Sequence, residues 1–165
     1  MSLGVDIEHI KIEAKRKKKA RTNFVKSLKN KKEPEIDAVF IEKHNEVFNE
    51  IDCLSCGNCC RNVGPLFTDK DINKISKHMK IKPGEFTEKH LRIDEDGDFV
   101  LQTLPCIFLG EDNYCSIYEV RPKACREYPH TNMKGQKKLM KLHLKNDELC
   151  PAVNEIFNRI IDKKM

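Results

Sequence analysis

Apolar residues recur every three or four positions in several stretches of the chain, which is the spacing of one face of an α-helix. One stretch follows Pro34 and predicts an amphipathic helix over residues 35–51, since proline suits the first turn of a helix. Another predicts a terminal helix that begins near Pro151, with Cys150 directly before it. The apolar positions of the two helices are Ile36, Phe40, Val47, Phe48 and Ile51, and then Val153, Ile156, Phe157 and Ile160.

The middle of the chain contains a second kind of helix signal. Thr68 is a favourable N-cap residue, and Asp71 follows three positions later as a variant of the capping box. Together they predict a helix of about three turns. The segment EFTEKHL predicts a further short helix, and DEDGD predicts a turn after it.

Strand signals follow that turn. The stretch FVLQTLPCIFLGEDNYCSIY carries β-branched and aromatic residues in short runs, and GEDN separates CIFL from YCSIY. We expect a small antiparallel hairpin or meander here. Helices combined with a small separate sheet predict an α+β fold.

Charge divides the chain unevenly. Residues 11–32 contain eleven Lys or Arg against one Glu, and their composition favours a helix. The sequence therefore predicts a basic, helical N-terminal arm over residues 1–33, followed by the packed domain over residues 34–165. Such an arm can attract an acidic partner or RNA through its charge, although no aromatic residues alternate with the lysines for base stacking. The alternative is a solvated helix without a dedicated partner.

Two broad classes of protein are disfavoured by the composition. No uninterrupted apolar run approaches the roughly 20 residues of a membrane-spanning helix. Charges interrupt residues 1–20, which disfavours a secretory signal. We expect a cytoplasmic protein without a membrane span. In a reducing compartment, clustered thiols are typical of metal or redox sites rather than of disulfides.

Eight cysteines are the chemical feature that the composition makes most prominent. Four lie in CLSCGNCC, three form a middle group, and one directly precedes Pro151. They are Cys53, Cys56, Cys59 and Cys60, then Cys106, Cys115 and Cys125, and finally Cys150. A C-x2-C-x2-C run turns three thiolates toward one centre, and a remote cysteine followed by proline supplies the fourth ligand in ferredoxin-type clusters. The pattern predicts at least one metal centre, with zinc or iron as the metal and a 4Fe-4S cluster as one form of it. The packed domain would then be stapled by metal.

Adjacent Cys59 and Cys60 leave the number of centres open. Neighbouring side chains diverge unless the backbone turns sharply, so these two thiols can face different centres. Eight thiols divide into two groups of four, which suits two zinc sites or one cluster and one zinc. The alternative is one centre, with the remaining thiols buried as small apolar groups.

Three arginines lie close to cysteines in the sequence. Arg61 follows Cys60, and Arg121 and Arg126 bracket Cys125. Four thiolates around Zn²⁺ carry a net negative charge, which nearby donors or cations offset. We predict that these arginines support the metal site, with ordinary surface arginines as the alternative.

These residues resemble the YkgJ-like cysteine-cluster proteins, the CxxCxxCC zinc- or iron-chelating domain. The likeness covers roughly residues 46–155 and includes CLSCGNCC, the middle cysteines, the RP-x2-CR element around Cys125 and the late Cys-Pro. The resemblance implies that all eight cysteines form the metal site. One related group contains flagellin N-methylases, but this chain has no glycine-rich nucleotide-binding unit, so that activity is not carried over.

Three functions follow as hypotheses. The first is a metal-binding protein whose folding depends on thiolate coordination. The second is an iron-sulfur enzyme of electron transfer or of methylase-like protein side-chain modification, with Tyr128 and His130 as polar candidates. The third is a zinc-structured module that binds RNA or a complex through its basic arm.

Overall fold

The computed structural model describes residues 6–163. Contacts divide the chain into two compact units. The helical unit consists of the described residues of Met1–Asp52 and Pro129–Met165, and the cysteine unit is Cys53–Tyr128. None of the helices among residues 6–163 is both long and apolar enough to cross a membrane.

Within the described residues the elements are nine α-helices and three short strands. The helices are α1 Ile7–Ser27, α2 Glu33–Phe48, α3 Cys53–Cys56, α4 Asn58–Asn62, α5 Asp69–Met79, α6 Pro83–His90, α7 Lys123–Glu127, α8 Gln136–Asn146 and α9 Pro151–Asp162. The strands are β1 Leu66–Phe67, β2 Leu91–Ile93 and β3 Phe99–Leu101. They form one antiparallel sheet in the order β1-β3-β2. This confirms the predicted α+β fold.

The helical unit is a helix bundle with one apolar centre. α9 packs against α1 and α2, and α8 contacts the same two helices. Phe40 of α2 meets Phe157 of α9 edge to face at 6.3 Å, and Phe157 also meets Phe24 in this way. These rings bury large apolar area, which is the main stabilising contribution in such a bundle.

The cysteine unit has its own apolar cluster. Phe86 of α6 is fully buried and lies between Phe67 of β1 and Phe108. α5 closes the cluster with Ile72 and Ile75. Each unit therefore has its own core, and Cys106 and Cys115 pack against the core of the second.

Most predicted elements are present with small shifts. α2 begins at Glu33, with Pro34 in its first turn, and ends at Phe48, so the predicted helix over 35–51 is displaced toward its N-terminus by two to three residues. The capping box at Thr68 and Asp71 is formed in both directions. Pro151 occupies the first turn of the terminal helix, with Cys150 at its N-cap.

The hairpin is formed by other residues than the expected ones. β2 and β3 pair across the DEDGD turn, where the Asp94 carboxylate accepts hydrogen bonds from the backbone N–H groups of Asp96 and Asp98, both at 3.0 Å. The stretch around GEDN instead forms a looped segment with one isolated bridge, between Leu109 and Cys115. The side chain of Asp94 thus stabilises the DEDGD turn locally, whereas the expected hairpin was centred on GEDN.

The predicted basic arm is helical over α1, while its residues 1–5 lie outside the described residues. Ile12 on this helix is 60% exposed. Ile10, Ala14, Arg21 and Leu28 are buried instead. The separation into an arm over 1–33 and a domain over 34–165 stays a prediction.

A buried ion pair connects α1 to the end of α8. The Nε atom of Arg21 lies 2.6 Å from Oδ2 of Asp147, and the side chains are only 1% and 4% exposed. Asn154 of α9 donates to the other carboxylate oxygen at 3.1 Å. The guanidinium lies over the ring of Phe157, 5.3 Å from its centroid. Both charges are therefore shielded from water and depend on each other.

We expect Asp147→Asn to lower the free energy of unfolding by roughly 3–5 kcal/mol, because it leaves the buried Arg21 charge without its partner. Glu155→Gln is the matched control, since Glu155 pairs with Arg159 at the surface, and its effect should be about 1 kcal/mol or less. Urea unfolding of both variants measures the difference. Equal losses in the two variants would contradict the assigned role of the pair.

Candidate metal centre

The CLSCGNCC segment forms two short helical turns joined by one glycine. Gly57 separates α3 from α4 and has φ +57°, in the left-handed region. A residue with a side chain is disfavoured there, since its Cβ approaches the carbonyl oxygen. The first two cysteines thus lie before this reversal of the chain, and Cys59 and Cys60 lie after it.

A side-chain brace holds the two turns together. Arg61 donates through Nη1 to the carbonyl of Cys56 at 3.0 Å, and through Nη2 to Oδ1 of Asn113. The amide of Asn113 donates to the carbonyl of Ser55 at 2.9 Å. Sequence reasoning predicted a role for Arg61 but missed Asn113. The signal available for Asn113 was its position in the GEDN break.

The middle cysteines are anchored next to this segment. The backbone N–H of Cys106 donates to the carbonyl of Cys60 at 2.8 Å. The bridge between Leu109 and Cys115 returns the chain, and the N–H of Ser116 donates to the carbonyl of Phe108 at 2.8 Å. Cys106 and Cys115 are partly buried and pack against the apolar cluster of the unit. Their thiols are therefore fixed by core packing rather than carried on a free loop.

Cys125 lies on α7, which packs against β1. The N–H of Lys123 donates to Oδ1 of Asp71 at 3.0 Å, so the capping carboxylate of α5 also supports the start of α7. Arg121 lies over the ring of Tyr118 at 3.7 Å, and Arg126 donates to the carbonyl of Arg121 at 2.6 Å. These arginines organise the backbone around Cys125.

The ionisation of the thiols depends on their surroundings. The pKa of Cys60 is lowered to about 7, first by a hydrogen bond from Cys59, whose Sγ lies 4.0 Å away, and then by the charge of Arg61. Burial raises the pKa of Cys106 to about 11. The pKa of Cys60 is thus lowered, whereas burial raises the pKa of Cys56, Cys106, Cys115 and Cys125.

Cys125 has the strongest resistance to ionisation. Its pKa is raised to about 12, first by burial and then by repulsion from the thiolates of Cys60, Cys106 and Cys115. The positive charge of Arg121 opposes the rise at Cys115 and Cys125, whereas Arg126 acts on Asp71. These mutual effects show that the four thiols lie within electrostatic reach of one another.

All eight cysteines lie within residues 6–163, and none of them forms a disulfide. Seven lie in the cysteine unit, and Cys150 lies in the helical unit at the start of α9. Across residues 6–163, no three side chains of His, Cys, Asp or Glu converge closely enough to form a metal-binding group as they are placed. The donor chemistry nevertheless fits a thiophilic metal, since partly buried thiols that repel each other's charge are stabilised as thiolates by a cation.

Histidines and the tyrosine Tyr128 are the remaining polar residues of interest. His44 contacts the hydroxyl of Thr131 at 2.8 Å and stacks on Phe48, as a structural histidine does. Nδ1 of His130 lies 3.4 Å from the sulfur of Met133. His130 belongs to the helical unit and Tyr128 to the cysteine unit.

The chain is thus a small α+β protein that carries seven of its eight cysteines in one compact unit. A family model, the CxxCxxCC "putative zinc- or iron-chelating domain", matches residues 52–151, which is more than half of the chain. The protein belongs to this family, as the resemblance of its cysteine pattern predicted. No solved structure gives a significant match to the chain.

We expect Gly57→Ala to destabilise the cysteine unit by at least about 1–2 kcal/mol, the cost of a left-handed residue with a Cβ. The new Cβ would also lie 2.9 Å from Nη1 of Arg61 and 3.2 Å from Oδ1 of Asn113, and so disturb the brace. Thermal unfolding measures the change.

Gly84→Ala is the control for this variant. Gly84 lies in the first turn of α6 and has no atom within 4 Å of an added Cβ. Its replacement should leave stability unchanged or raise it by about 0.4–1 kcal/mol. If Gly57→Ala behaved like Gly84→Ala, the brace would not constrain the cysteine segment.

Proposed function

We propose that the protein binds zinc or iron through its cysteines and that the bound metal stabilises the cysteine unit. The observation that carries the proposal is the gathering of seven cysteines in one unit of the chain, four of them within electrostatic reach of one another. Membership of a family described as zinc- or iron-chelating supports it.

The residues that would hold the metal are the eight cysteines. Thiolates are the preferred ligands of structural zinc and of iron-sulfur clusters, and either accepts this donor set. When bound, the metal supplies positive charge that makes buried thiolates stable. The ligands are Cys53, Cys56, Cys59, Cys60, Cys106, Cys115, Cys125 and Cys150.

Two arginines support these ligands from the side. The charge of Arg61 lowers the pKa of Cys60. The charge of Arg121 opposes the rise in pKa that burial causes at Cys115 and Cys125. Both donate hydrogen bonds to backbone carbonyls, so their charge is held in place near the sulfurs. Arg126 acts on the backbone of Arg121 and belongs to the same support.

Metal binding is tested by anaerobic purification, elemental analysis and a visible spectrum. We expect bound zinc in a colourless sample, or iron and sulfide with broad absorbance near 400 nm. Chelation should lower the unfolding midpoint, because metal affinity contributes directly to folding. Cys56→Ser should lower metal content and thermal stability together.

Ser116→Ala is the control, since Ser116 is exposed and adjoins Cys115 without supplying a thiol. It should change neither metal content nor stability. A chain that carries no metal after anaerobic purification and is indifferent to chelators would overturn the proposal.

One further observation favours a second function, contact with RNA through α1. Its outer face carries a row of exposed lysines at spacings of three, four or seven residues: Lys15, Lys18, Lys19 and Lys26. None of these four forms an ion pair within the described part of the chain. Lys15 and Lys26 are about 16 Å apart along the helix axis, at 1.5 Å per residue.

A row of this kind suits a phosphate backbone. Thr22 is the residue between Lys19 and Lys26 on this face of α1. Phe24, the aromatic residue of α1, packs inward on Phe157. Base stacking therefore has no aromatic partner on this face, and we propose that contact occurs through charge and without sequence preference. Protein interfaces, by contrast, have an apolar centre.

We expect the triple variant Lys15→Glu, Lys19→Glu, Lys26→Glu to abolish salt-sensitive binding of duplex RNA, since three phosphate contacts are replaced by repulsion. In the native chain, each lysine–phosphate contact makes the slope of log binding constant against log salt concentration more negative by about 0.9. Filter binding at several salt concentrations measures it.

The matched control is Lys70→Glu, Lys74→Glu, Lys77→Glu on α5, which changes the net charge equally at exposed positions of the other unit. It should retain RNA binding. Equal loss in both variants would show that only the total charge matters. Absence of RNA binding by the native chain would overturn this second proposal.

A further inference from the structure

We propose that Asn113 is a positioning residue of the candidate metal centre, whose amide keeps the backbone of residues 53–60 in its folded conformation before any metal binds. Asn113 supplies no ligand itself and acts through Arg61 and Ser55. The expected effect on metal affinity rests on the proposed function, whereas the effect on the metal-free chain does not depend on it.

The amide of Asn113 uses both of its ends. Its Oδ1 accepts a hydrogen bond from Nη2 of Arg61, which belongs to α4. Its Nδ2 donates to the carbonyl of Ser55, which belongs to α3, at 2.9 Å. These partners fix which end of the amide is oxygen and which is nitrogen, because a guanidinium only donates and a carbonyl only accepts. One side chain thus contacts the helical turns on both sides of Gly57.

Gly57 is the point of the segment where the backbone has the most freedom, since glycine accepts conformations that other residues avoid. The side chains of Asn113 and Arg61 cover it directly. A Cβ on Gly57 would lie 2.9 Å from Nη1 of Arg61 and 3.2 Å from Oδ1 of Asn113. The same Nη1 donates to the carbonyl of Cys56 at 3.0 Å. The two side chains therefore restrict the backbone at the position where it would otherwise be least constrained.

Asn113 is itself held by a closed turn. Its N–H donates to the carbonyl of Gly110 at 3.0 Å, and the N–H of Gly110 donates to the carbonyl of Tyr114 at 2.8 Å. Asn113 has φ +66°, in the left-handed region that asparagine tolerates better than most residues. The bridge between Leu109 and Cys115 closes the turn. The amide thus connects residues 53–60 to the turn that precedes Cys115.

This connection has a consequence for metal binding. The apparent affinity for a ligand falls in proportion to the fraction of chains that already have the binding-competent conformation. Hydrogen bonds that keep the segment folded without metal raise that fraction. Each such bond changes an equilibrium constant by about two- to tenfold. Loss of the Asn113 amide should therefore weaken metal binding although no thiol is removed.

The first test uses the full chain in the presence of a chelator, with hydrogen exchange as the readout. Asn113→Gly removes the amide and still permits the left-handed conformation. We expect exchange to become about tenfold faster at the N–H groups of Gly57 and Arg61, which donate to the carbonyls of Cys53 and Gly57. Unchanged exchange in this variant would overturn the inference. So would a metal-free native chain in which both groups exchange as in an unstructured peptide.

Asn113→Asp separates the two ends of the amide. The carboxylate can still accept from Arg61 but cannot donate to the carbonyl of Ser55. The N–H of Gly57, which closes α3, should exchange faster, while the N–H of Arg61 should stay near its native rate. Equal acceleration at both groups would indicate a general loss of structure and contradict the assigned contacts.

Gln102→Ala is the matched control. Gln102 also lies in the cysteine unit, and its Nε2 donates to the carbonyls of Glu88 and Leu91, both at 2.9 Å. Its replacement removes two amide hydrogen bonds without touching residues 53–60. The unfolding midpoint should fall as in Asn113→Gly, with native exchange at Gly57 and Arg61. Faster exchange there in both variants would show that Asn113 has no special role.

The second test measures zinc affinity by competition with a chromophoric chelator. Asn113→Gly should raise the dissociation constant by about two- to tenfold, and Gln102→Ala should leave it unchanged. An unchanged constant in Asn113→Gly would overturn the link to the metal centre. A native chain that binds neither zinc nor iron would contradict the proposed function, and the exchange rates would still decide whether Asn113 positions the segment.

Discussion

Thiols that are partly buried near one another can ionise together only when a positive charge joins them, and the cysteine unit depends on this constraint. Without a cation, each thiolate raises the pKa of its neighbours, as Cys60 does for Cys106 and Cys125. The arginines of the unit reduce this repulsion, and they are held in place by hydrogen bonds to carbonyl and amide oxygens. A metal would supply what the side chains leave incomplete.

The two units balance their buried charges differently. In the helical unit, Arg21 is paired with Asp147, and Asn154 satisfies the second oxygen of that carboxylate. This unit therefore holds its own counter-charge. In the cysteine unit, the sulfurs are positioned by core packing and by the brace of Arg61 and Asn113, with no carboxylate–cation pair of comparable burial among its described residues.

Local signals in the sequence were sufficient for several elements. Thr68 and Asp71 predicted a helix start because both partners of a capping box lie within one turn. Pro151 predicted the start of the terminal helix for a similar reason. The cysteine pattern predicted the family, since the order and spacing of eight thiols are visible without a structure.

Contacts between distant residues could not be predicted in this way. Asn113 contacts Ser55 and Arg61, which lie more than 50 positions away, so the GEDN break suggested a turn but no partner. The burial of Arg21 depends on Asp147 in another helix, and a sequence of lysines around it predicts a solvated face. Whether the eight thiols serve one metal centre or two is a question of the same kind. The sequence does not distinguish Cys59 from Cys60, so it cannot assign either of them to a centre.

The backbone around Gly57 determines how the side chains of the adjacent residues Cys59 and Cys60 are directed. Gly57 reverses the chain in the left-handed region, and α4 then carries both residues on one short turn. Successive positions of a helical turn point about 100° apart, as 3.6 residues per turn require. The side chains of Cys59 and Cys60 therefore leave this turn in different directions, although their sulfurs still lie 4.0 Å apart. One intervening residue would place the two side chains about 200° apart, on opposite sides of the turn, so direct adjacency keeps the two sulfurs closer than a one-residue spacer would.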